Sequence, residues 1–238
     1  MKKKICFLFN NIKEYNFKNL VKLYLPKKNF DISLSTVFPK NFKSFDLIIP
    51  WSYKKIIKGK KKLSNTIIIH SSNLPKGRGW APIYHSVRDG HSDYTISSIF
   101  ASKDVDKGNI IVKASFPILP EYTAKYLREV DTEISILLIR KIFDKWQNSQ
   151  ITSKKQIGIG SYHPRRFPKD NEVKINYSLK KILPHIRAVE NNNPAFFYFK
   201  NVKYIIKVYP ENEPDFPKKI KIEYPGINEI EYWTKSHD

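Results

Sequence analysis

A histidine and an aspartate are the side chains of this chain best suited to chemistry. An apolar, strand-like run over residues 67–69 leads into His70, and Asp106 follows 36 residues later. A stretch of that length can hold one strand–helix–strand excursion, which brings two residues together at a parallel sheet. An imidazole exchanges protons near neutral pH, and a nearby carboxylate orients the ring and favours its charged form. The spacing therefore predicts an acid–base pair.

The loop after the histidine is the second chemical feature. It reads Leu-Pro-Lys-Gly-Arg-Gly over residues 74–79, so two glycines and an arginine stand beside His70. The glycines allow close approach of a ligand, and Arg78 can bind an anion through two hydrogen bonds. A lone histidine would more often be structural, but this loop favours a functional site. The Leu74–Pro75 bond is also a candidate cis peptide.

Size and charge limit the classes of function. The 238 residues, 41% of them hydrophobic, suffice for one sizeable domain and a small appendage. The formal net charge is +21, yet only seven of the 43 basic residues are arginine, and the lysines are scattered. This distribution favours a solvated lysine surface over a nucleic-acid groove. The positive field would still attract an anionic substrate.

No sequence motif indicates a membrane or a metal. The apolar run at residues 5–9 is too short for a signal peptide or a membrane span, so we expect a cytoplasmic protein without membrane insertion. Cys6, the single cysteine, lies in this run and should be a buried, unreactive thiol. We expect no metal, because the other histidines share no ligand-like spacing; they are His85, His91, His163, His185 and His237.

Alternating strands and helices predict an α/β fold. We expect strands at residues 4–10, 32–37, 45–50, 66–70, 94–100 and 110–115, and helices at 17–25 and 80–88, with a helical face at 53–63. This order predicts a Rossmann-like, mostly parallel sheet with helices on both faces. A long amphipathic helix at 123–146, whose apolar stripe is core, closes the first domain.

The composition changes after residue 150, where Gly158 and Gly160 appear. We therefore expect a catalytic domain at 1–150, followed by a linker and a small β-rich C-terminal module at 151–238. The module should contain a helix at 177–189 and strands at 195–199, 203–209 and 219–224. Neither a dinucleotide-binding glycine motif nor a P-loop occurs.

Several segments resemble motifs of the folate-dependent formyltransferase superfamily. Residues 70–82 are similar to its HxSxLPxxRGxxP segment, and residues 106–108 to its DxG segment. Residues 165–170, 186–189 and 194–196 are similar to the RRxPxD, IRA and PxAF segments of the branches that act on methionyl-tRNA and on nucleotide-linked aminosugars. The likeness is strongest over 46–111 and 162–209 and weak in about the first forty residues.

The resemblance implies a reaction. A formyl group would pass from the co-substrate 10-formyltetrahydrofolate to an amine, with His70 handling the proton and stabilising the oxyanion and Asp106 orienting the imidazole. The family normally has an asparagine two residues before the histidine, where this chain has Ile68, which cannot donate a hydrogen bond. Either Asn73 replaces that donor, or the chain uses the reduced pair, or it has lost activity.

The resemblance also implies where the ligands lie. The pterin would lie along two backbone segments, whose residues are Pro50, Trp51, Ser52 and Tyr53 in the first and Ala101 and Asp104 in the second. Core or rim packing is an equally good interpretation of Trp51 and Tyr53. The acceptor would contact Ser71, Asn73, Lys76, Gly77, Arg78, Trp80 and Tyr84.

Three acceptor classes compete within the resemblance. The short region after residue 150 disfavours methionyl-tRNA, and the Arg165–Arg166 motif disfavours glycinamide ribonucleotide. We therefore expect a nucleotide-linked amino-deoxysugar, such as dTDP-4-amino-4,6-dideoxyglucose, of the kind used in O-antigen or other polysaccharide synthesis. The alternatives are a methionyl-tRNA formyltransferase-like enzyme and a degenerate ligand- or RNA-binding module.

Other partners are constrained less strongly by the sequence. The two adjacent arginines, Arg165 and Arg166, are more typical of an interdomain tether than of a ligand clamp. We do not expect nucleic acid as a partner. The sequence is compatible with a homodimer.

Overall fold

Strands and helices are mixed up to residue 117, and the chain ends in a region of short strands. The computed structural model describes residues 2–11, 18–55, 57, 59, 63–147, 149–190 and 192–235. The predicted helices at 17–25 and 53–63 are therefore described only in part, and Ile56 and His237 lie outside the described residues. The elements are β1 (Lys3–Leu8), α1 (Lys18–Tyr24), β2 (Phe30–Ser35), β3 (Leu47–Pro50), β4 (Ile67–His70), β5 (Arg78–Gly79), α2 (Pro82–Arg88), β6 (Asp93–Phe100), β7 (Ile110–Pro117), α3 (Ala124–Lys145), β8 (Tyr162–His163), α4 (Leu179–Ala188), β9 (Ala195–Phe199), β10 (Val202–Ile206), β11 (Ile220–Tyr224) and β12 (Glu229–Trp233).

Four strands form the parallel half of the main sheet. Three of them have the order β2-β1-β3, and an isolated parallel bridge between Ile48 and Thr66 connects β3 with the start of β4. Ile5, Phe7 and Ile49 are fully buried, as expected for parallel strands that are covered on both faces. β4 therefore lies inside the sheet, and His70 is its last residue.

The other half of the sheet is antiparallel. β4 pairs with β6, β6 with β7, β7 with β11 and β11 with β12, each in the antiparallel sense. Residues 101–109 connect β6 to β7 and are too few for a crossover helix. The α/β class with a parallel sheet is confirmed. The antiparallel half is a feature that the alternation of strands and helices does not predict.

The helix α3 covers the strands and confirms the long helix predicted at 123–146. Thr123 precedes it, and its side-chain oxygen accepts a hydrogen bond from the Tyr126 amide at 3.3 Å. Leu127, Ile134 and Leu138 are fully buried. Their spacing places them on one helical face, which packs towards β6 and β7. The apolar stripe is therefore core.

The last two strands belong to the main sheet. Residues 151–238 are predicted as a linker and a separate module, whereas β11 pairs with β7 and places Ile222 opposite Ala114. Alternate residues of β11, including Ile220 and Tyr224, are buried, so one face of this strand lies against the core. The helix α4 packs on α2, and β9 and β10 form a hairpin. The division at residue 150 stays a prediction, but it does not follow the sheet.

Cys6 lies in β1 with 1% of its surface exposed. Burial raises the pKa of its thiol to about 11, so the thiol is protonated at neutral pH. None of the helices in the described ranges has both the length and the apolar content to cross a membrane.

Replacing Ile222 tests whether β11 belongs to the main core. Ile222 is fully buried, so Ile222→Ala should lower the free energy of unfolding by about 2–5 kcal/mol. Ile230 on β12 is 52% exposed, and Ile230→Ala should change that free energy by less than about 0.5 kcal/mol. Urea unfolding followed by circular dichroism measures both. Equal effects of the two substitutions would contradict the placement of β11.

Candidate active site

The imidazole of His70 is held by the backbone of the loop that follows it. The residue is 8% exposed, and its Nε2 lies 2.8 Å from the carbonyl oxygen of Gly77. A carbonyl oxygen only accepts hydrogen bonds, so Nε2 is the protonated nitrogen and donates. In the neutral ring the basic nitrogen is therefore Nδ1.

Asp106 faces this basic nitrogen. Its Oδ2 lies 3.7 Å from His70 Nδ1 and accepts a hydrogen bond from the Gly79 amide at 2.9 Å. The two side chains are 9% and 11% exposed, so water screens their interaction weakly. The separation suits an ion pair with a protonated imidazole. The orientation of the neutral ring, which was expected from Asp106, comes from Gly77 instead.

The backbone around Asp106 explains the glycine two residues later. Asp106 has a φ of +53°, in the left-handed region that aspartate tolerates better than most residues. A Cβ at position 108 would lie 1.6 Å from the carbonyl oxygen of Phe100. Only glycine lets the loop 101–109 close this tightly.

A segment that follows α3 holds the loop that comes after His70. The strand β8 pairs in parallel with β5, and the Ser161 hydroxyl accepts a hydrogen bond from the Gly77 amide at 2.8 Å. The Trp80 amide donates to the carbonyl of His163 at 3.0 Å. Residues that the sequence predicts as a linker are therefore part of the site.

Gln156 connects the loop after His70 to the loop that carries Asp106. Its Nε2 donates to the carbonyls of Asp106 and Gly108, and its Oε1 accepts from the guanidinium of Arg78, each at 2.8 Å. The guanidinium of Arg78, which the sequence predicts to bind an anion, binds Gln156 instead and so holds the loop in place. Sequence reasoning missed Gln156 because no motif includes it.

The position of the family asparagine is apolar. Ile68 packs with Leu74, Ile99 and Ile110. The suggested replacement, Asn73, has its side-chain oxygen bound to the ammonium of Lys113 at 2.6 Å. The same ammonium donates to the carbonyl of Leu74 at 2.8 Å, and the Leu74–Pro75 bond is cis. Lys113 and Asn73 therefore support the shape of the loop.

The two predicted pterin segments lie on either side of β4. Pro50 ends β3, which neighbours β4, and Ala101 follows β6, which pairs with the other side of β4. The carbonyl of Ser52 accepts a hydrogen bond from Asn10 at 2.6 Å, and Asn10 also accepts from the amide of Lys54 at 2.9 Å. Asn10 therefore fixes the turn that leaves β3.

Two aromatic residues of the first segment pack within the protein. The ring of Trp51 meets Phe7 edge-on at 5.9 Å, and the Tyr53 hydroxyl donates to the Thr36 carbonyl at 3.4 Å. In the second segment the Ala101 amide donates to the carbonyl of Thr66 at 2.8 Å, whereas Asp104 is exposed. The exposed part of this loop, residues 102–105, is what a ligand can reach.

Tyr84 is buried between two arginines. Its ring centroid lies 3.2 Å from the guanidinium carbon of Arg166 and 5.4 Å from that of Arg88, and its hydroxyl lies 2.8 Å from Nδ1 of His185. The residue is 7% exposed, so we remove it from the expected acceptor contacts. Arg166 instead joins the region after residue 150 to α2, as the tether interpretation predicts.

Two further predicted acceptor residues differ in their accessibility. Trp80 is 37% exposed, with the guanidinium of Arg165 at 5.2 Å from its ring centroid. Ser71 is half-buried. Nearby in the core, the Tyr94 hydroxyl donates to the Asp131 carboxylate at 2.9 Å, and burial raises the pKa of that carboxyl. Sequence reasoning missed Asp131 because it lies within the core stripe of α3.

The remaining predicted acceptor residues, Asn73, Lys76 and Gly77, line a polar cavity of about 430 Å³. His85 and His163 also line it, and their rings stack with centroids 3.6 Å apart. Burial, followed by the charges of His163 and Arg88, lowers the pKa of His85 to about 4. In the part of the chain that the structure describes, no group of three or more histidine, cysteine or acidic side chains is placed to hold a metal ion.

Removing the side-chain amide of Gln156 should loosen the catalytic loops. In Gln156→Leu the carbonyls of Asp106 and Gly108 lose a donor, so the free energy of unfolding should fall by about 1–3 kcal/mol. Gln147, exposed after α3, provides the matched control, because Gln147→Leu should change this free energy by less than about 0.5 kcal/mol. Chemical unfolding measures both, and a stable Gln156→Leu would contradict the bridging role.

The low pKa of His85 should make stability depend on pH. In the unfolded chain a histidine has a pKa near 6.5, so as the pH falls from 6.5 to 4 the unfolded state binds a proton before the folded state does. The contribution of His85 to the free energy of unfolding is fully present above pH 6.5 and falls as the pH drops below that value. Between pH 7.5 and 4.5, the free energy of unfolding of the wild type should fall by about 2 kcal/mol more than that of His85→Phe. Unfolding at both values measures this, and equal losses would contradict the shift.

Sequence comparison relates the chain to formyltransferases. The profile of the formyl transferase family matches residues 22–140. Methionyl-tRNA formyltransferase of Ureaplasma urealyticum is 26% identical over 207 residues, which cover 83% of this chain and 60% of that protein. The chain spans about half the length of the curated relatives that it matches.

Solved structures share the fold. A methionyl-tRNA formyltransferase from Clostridium thermocellum superposes with a TM-score of 0.68 at 19% identity, covering 99% of this chain and 100% of that one. A sugar N-formyltransferase from a Shewanella species gives a TM-score of 0.68 at 18% identity, covering 89% and 99%. The family profile spans half of the 238 residues, and the chain therefore belongs to the formyl transferase family.

Proposed function

We propose that this protein transfers the formyl group of 10-formyltetrahydrofolate to the amine of a nucleotide-linked amino-deoxysugar, such as dTDP-4-amino-4,6-dideoxyglucose. The observation that carries the proposal is the placement of His70 between Gly77 and Asp106. The imidazole has one nitrogen fixed as a donor and the other aimed at a carboxylate 3.7 Å away. Family membership supplies the reaction class.

The geometry supports Nδ1 of His70 as the atom that handles the proton. An amine that attacks the formyl carbon must lose a proton as the new carbon–nitrogen bond forms, and Nδ1 is the basic atom that takes it. The imidazolium formed is stabilised by Asp106, which is nearly as buried as the ring. The protonated Nδ1 then returns the proton to the nitrogen whose bond to the formyl carbon breaks.

The two segments beside β4 are the proposed folate site. When bound, 10-formyltetrahydrofolate supplies the activated formyl carbon. Residues 50–53 and 102–105 flank the strand that ends at His70, and the second segment leads directly into Asp106. The exposed backbone groups of this second segment can form hydrogen bonds with a pterin ring, as the resemblance to the family implies. Trp51 and Tyr53 shape this site by packing rather than by stacking on the ligand.

The surface beside the catalytic pair favours a small nucleotide-linked acceptor. Trp80 follows Gly79, whose amide binds Asp106, and it offers a half-exposed ring next to Arg165. An aromatic face can pack on a base or sugar, and an arginine can bind a diphosphate. Lys76 is exposed in the same loop. Together these groups match the parts of a nucleotide sugar, and such an enzyme would serve polysaccharide synthesis, for example of O-antigen.

A methionyl-tRNA acceptor is the second candidate. The curated relatives with the strongest sequence similarity include several methionyl-tRNA formyltransferases, and the net charge of +21 would attract RNA. The scattered lysines, with only seven arginines in the whole sequence, favour the smaller acceptor.

Formyl transfer to purified acceptors tests the proposal. Protein and 10-formyltetrahydrofolate should convert a dTDP- or UDP-linked 4-amino or 3-amino sugar to a product heavier by one formyl group, detected by mass spectrometry. His70→Ala and Asp106→Asn should each lower the rate by about 10²–10⁴-fold, because general acid–base catalysis is worth that much. Asp31→Asn, an exposed change on β2, should leave the rate unaltered.

The acceptor panel separates the candidates. Formylation of methionyl-tRNA without turnover of any aminosugar would replace the proposal with the second candidate. Tight, salt-sensitive RNA binding without transfer to either acceptor would indicate a binding module. A His70→Ala variant that keeps the wild-type rate would contradict the assigned proton chemistry.

A further inference from the structure

A polar cavity of about 430 Å³ lies beside the catalytic loop. Its walls come from residues 72–77, α2, the start of β6 and the segment 161–163. Five of its lining side chains are hydroxyls, namely Ser72, Ser86, Ser92, Thr95 and Ser161, and three are imidazoles. The volume falls within the range of small-molecule sites, roughly 300–1,000 Å³.

Gly77 separates this cavity from the catalytic pair. Its carbonyl accepts the hydrogen bond of His70, while the residue itself lines the cavity. Neither His70 nor Asp106 is among the lining residues. The cavity is therefore a distinct site that adjoins the catalytic imidazole through one residue.

His85 is a buried polar group without a partner in this cavity. Its side chain is 10% exposed, and neither ring nitrogen makes a hydrogen bond. The nearest carboxylate oxygen, Oδ2 of Asp89, is 3.6 Å from Nδ1, beyond hydrogen-bonding distance. Leaving such a group unsatisfied is unfavourable, so the site favours a ligand that can satisfy it.

The protonation state of His85 indicates the chemistry of that ligand. Its low pKa keeps the ring neutral at pH 7, with one nitrogen as donor and the other as acceptor. An alcohol hydroxyl both donates and accepts, as do the serine and threonine hydroxyls around the cavity. A polyhydroxy molecule can match this lining at several points.

Charged ligands fit the cavity less well. Both carboxylates at its rim have partners, since Asp89 accepts from Arg88 at 2.6 Å and Asp93 accepts from Ser92 at 2.7 Å. Lys76 is exposed rather than directed at a buried anion site. Apart from Pro82, the lining residues carry no sizeable apolar side chain, so a hydrophobic ligand is disfavoured as well.

We propose that this cavity binds an uncharged, hydroxyl-rich ligand of monosaccharide size, with His85 and Thr95 as contact residues. The ligand class follows from the lining alone, and Lys76 is the one lining residue that the proposed acceptor surface also uses. Binding there would act on Gly77 and so on the orientation of His70.

Saturation-transfer difference NMR with D-glucose, D-galactose and D-mannose tests the proposal. At millimolar concentration at least one hexose should receive saturation from the wild-type protein, and cyclohexanol, a ring with one hydroxyl, should receive much less. His85→Phe keeps a flat ring against His163 but removes both hydrogen-bonding atoms, so the dissociation constant should rise about tenfold.

A second pair of variants on β6 keeps the test independent of folding at position 85. Thr95→Val removes a lining hydroxyl at constant shape and should also weaken binding several-fold. Ser98→Ala, a buried position on the same strand outside the cavity, should not. Wild-type protein that binds no hexose, or hexose binding that survives both His85→Phe and Thr95→Val, would overturn the proposal. The assay contains no formyl donor, so its result is independent of whether the protein transfers formyl groups.

Discussion

The hydrogen bond between His70 Nε2 and the Gly77 carbonyl is the interaction on which the site depends. It fixes which nitrogen of the ring is basic, and it requires the chain to fold back towards the end of β4. This return brings Gly79 to the carboxylate of Asp106 and presents the Gly77 amide to Ser161. Three segments that are far apart in sequence therefore converge on residues 77–79.

The sequence predicts individual elements better than their neighbours. Short apolar runs located β1, β3 and β7, and apolar residues at three-to-four-residue spacing located α3. The antiparallel half of the sheet was not predictable in this way, since the pairing of Ile222 with Ala114 joins residues that are more than one hundred positions apart. Periodicity shows which face of a strand is buried, but it does not show which strand pairs with it.

The same limit applies to the site. His70 and Asp106 could be singled out because their types, their spacing and the motifs around them all agree. Tyr84 could not be assigned correctly, since its ring is enclosed by Arg166, which lies 82 positions further along the chain. Gln156 left no signal at all, because one amide serves three partners only after both loops have folded. A polar residue's type sets what it can bind, whereas packing decides what it does bind.

The apolar residue at position 68 bears on how His70 and Asp106 would act in the proposed reaction. One oxyanion donor is typically worth about 2.7–4 kcal/mol, or 10²–10³ in rate. In the proposed reaction, Nδ1 of His70 becomes a donor once it has accepted the proton of the attacking amine, and Oδ2 of Asp106 lies 3.7 Å from it. The side chains of His70 and Asp106 are 9% and 11% exposed, so water screens their attraction weakly. In the proposed reaction one imidazole can therefore serve first as base and then as oxyanion donor, with the carboxylate beside it.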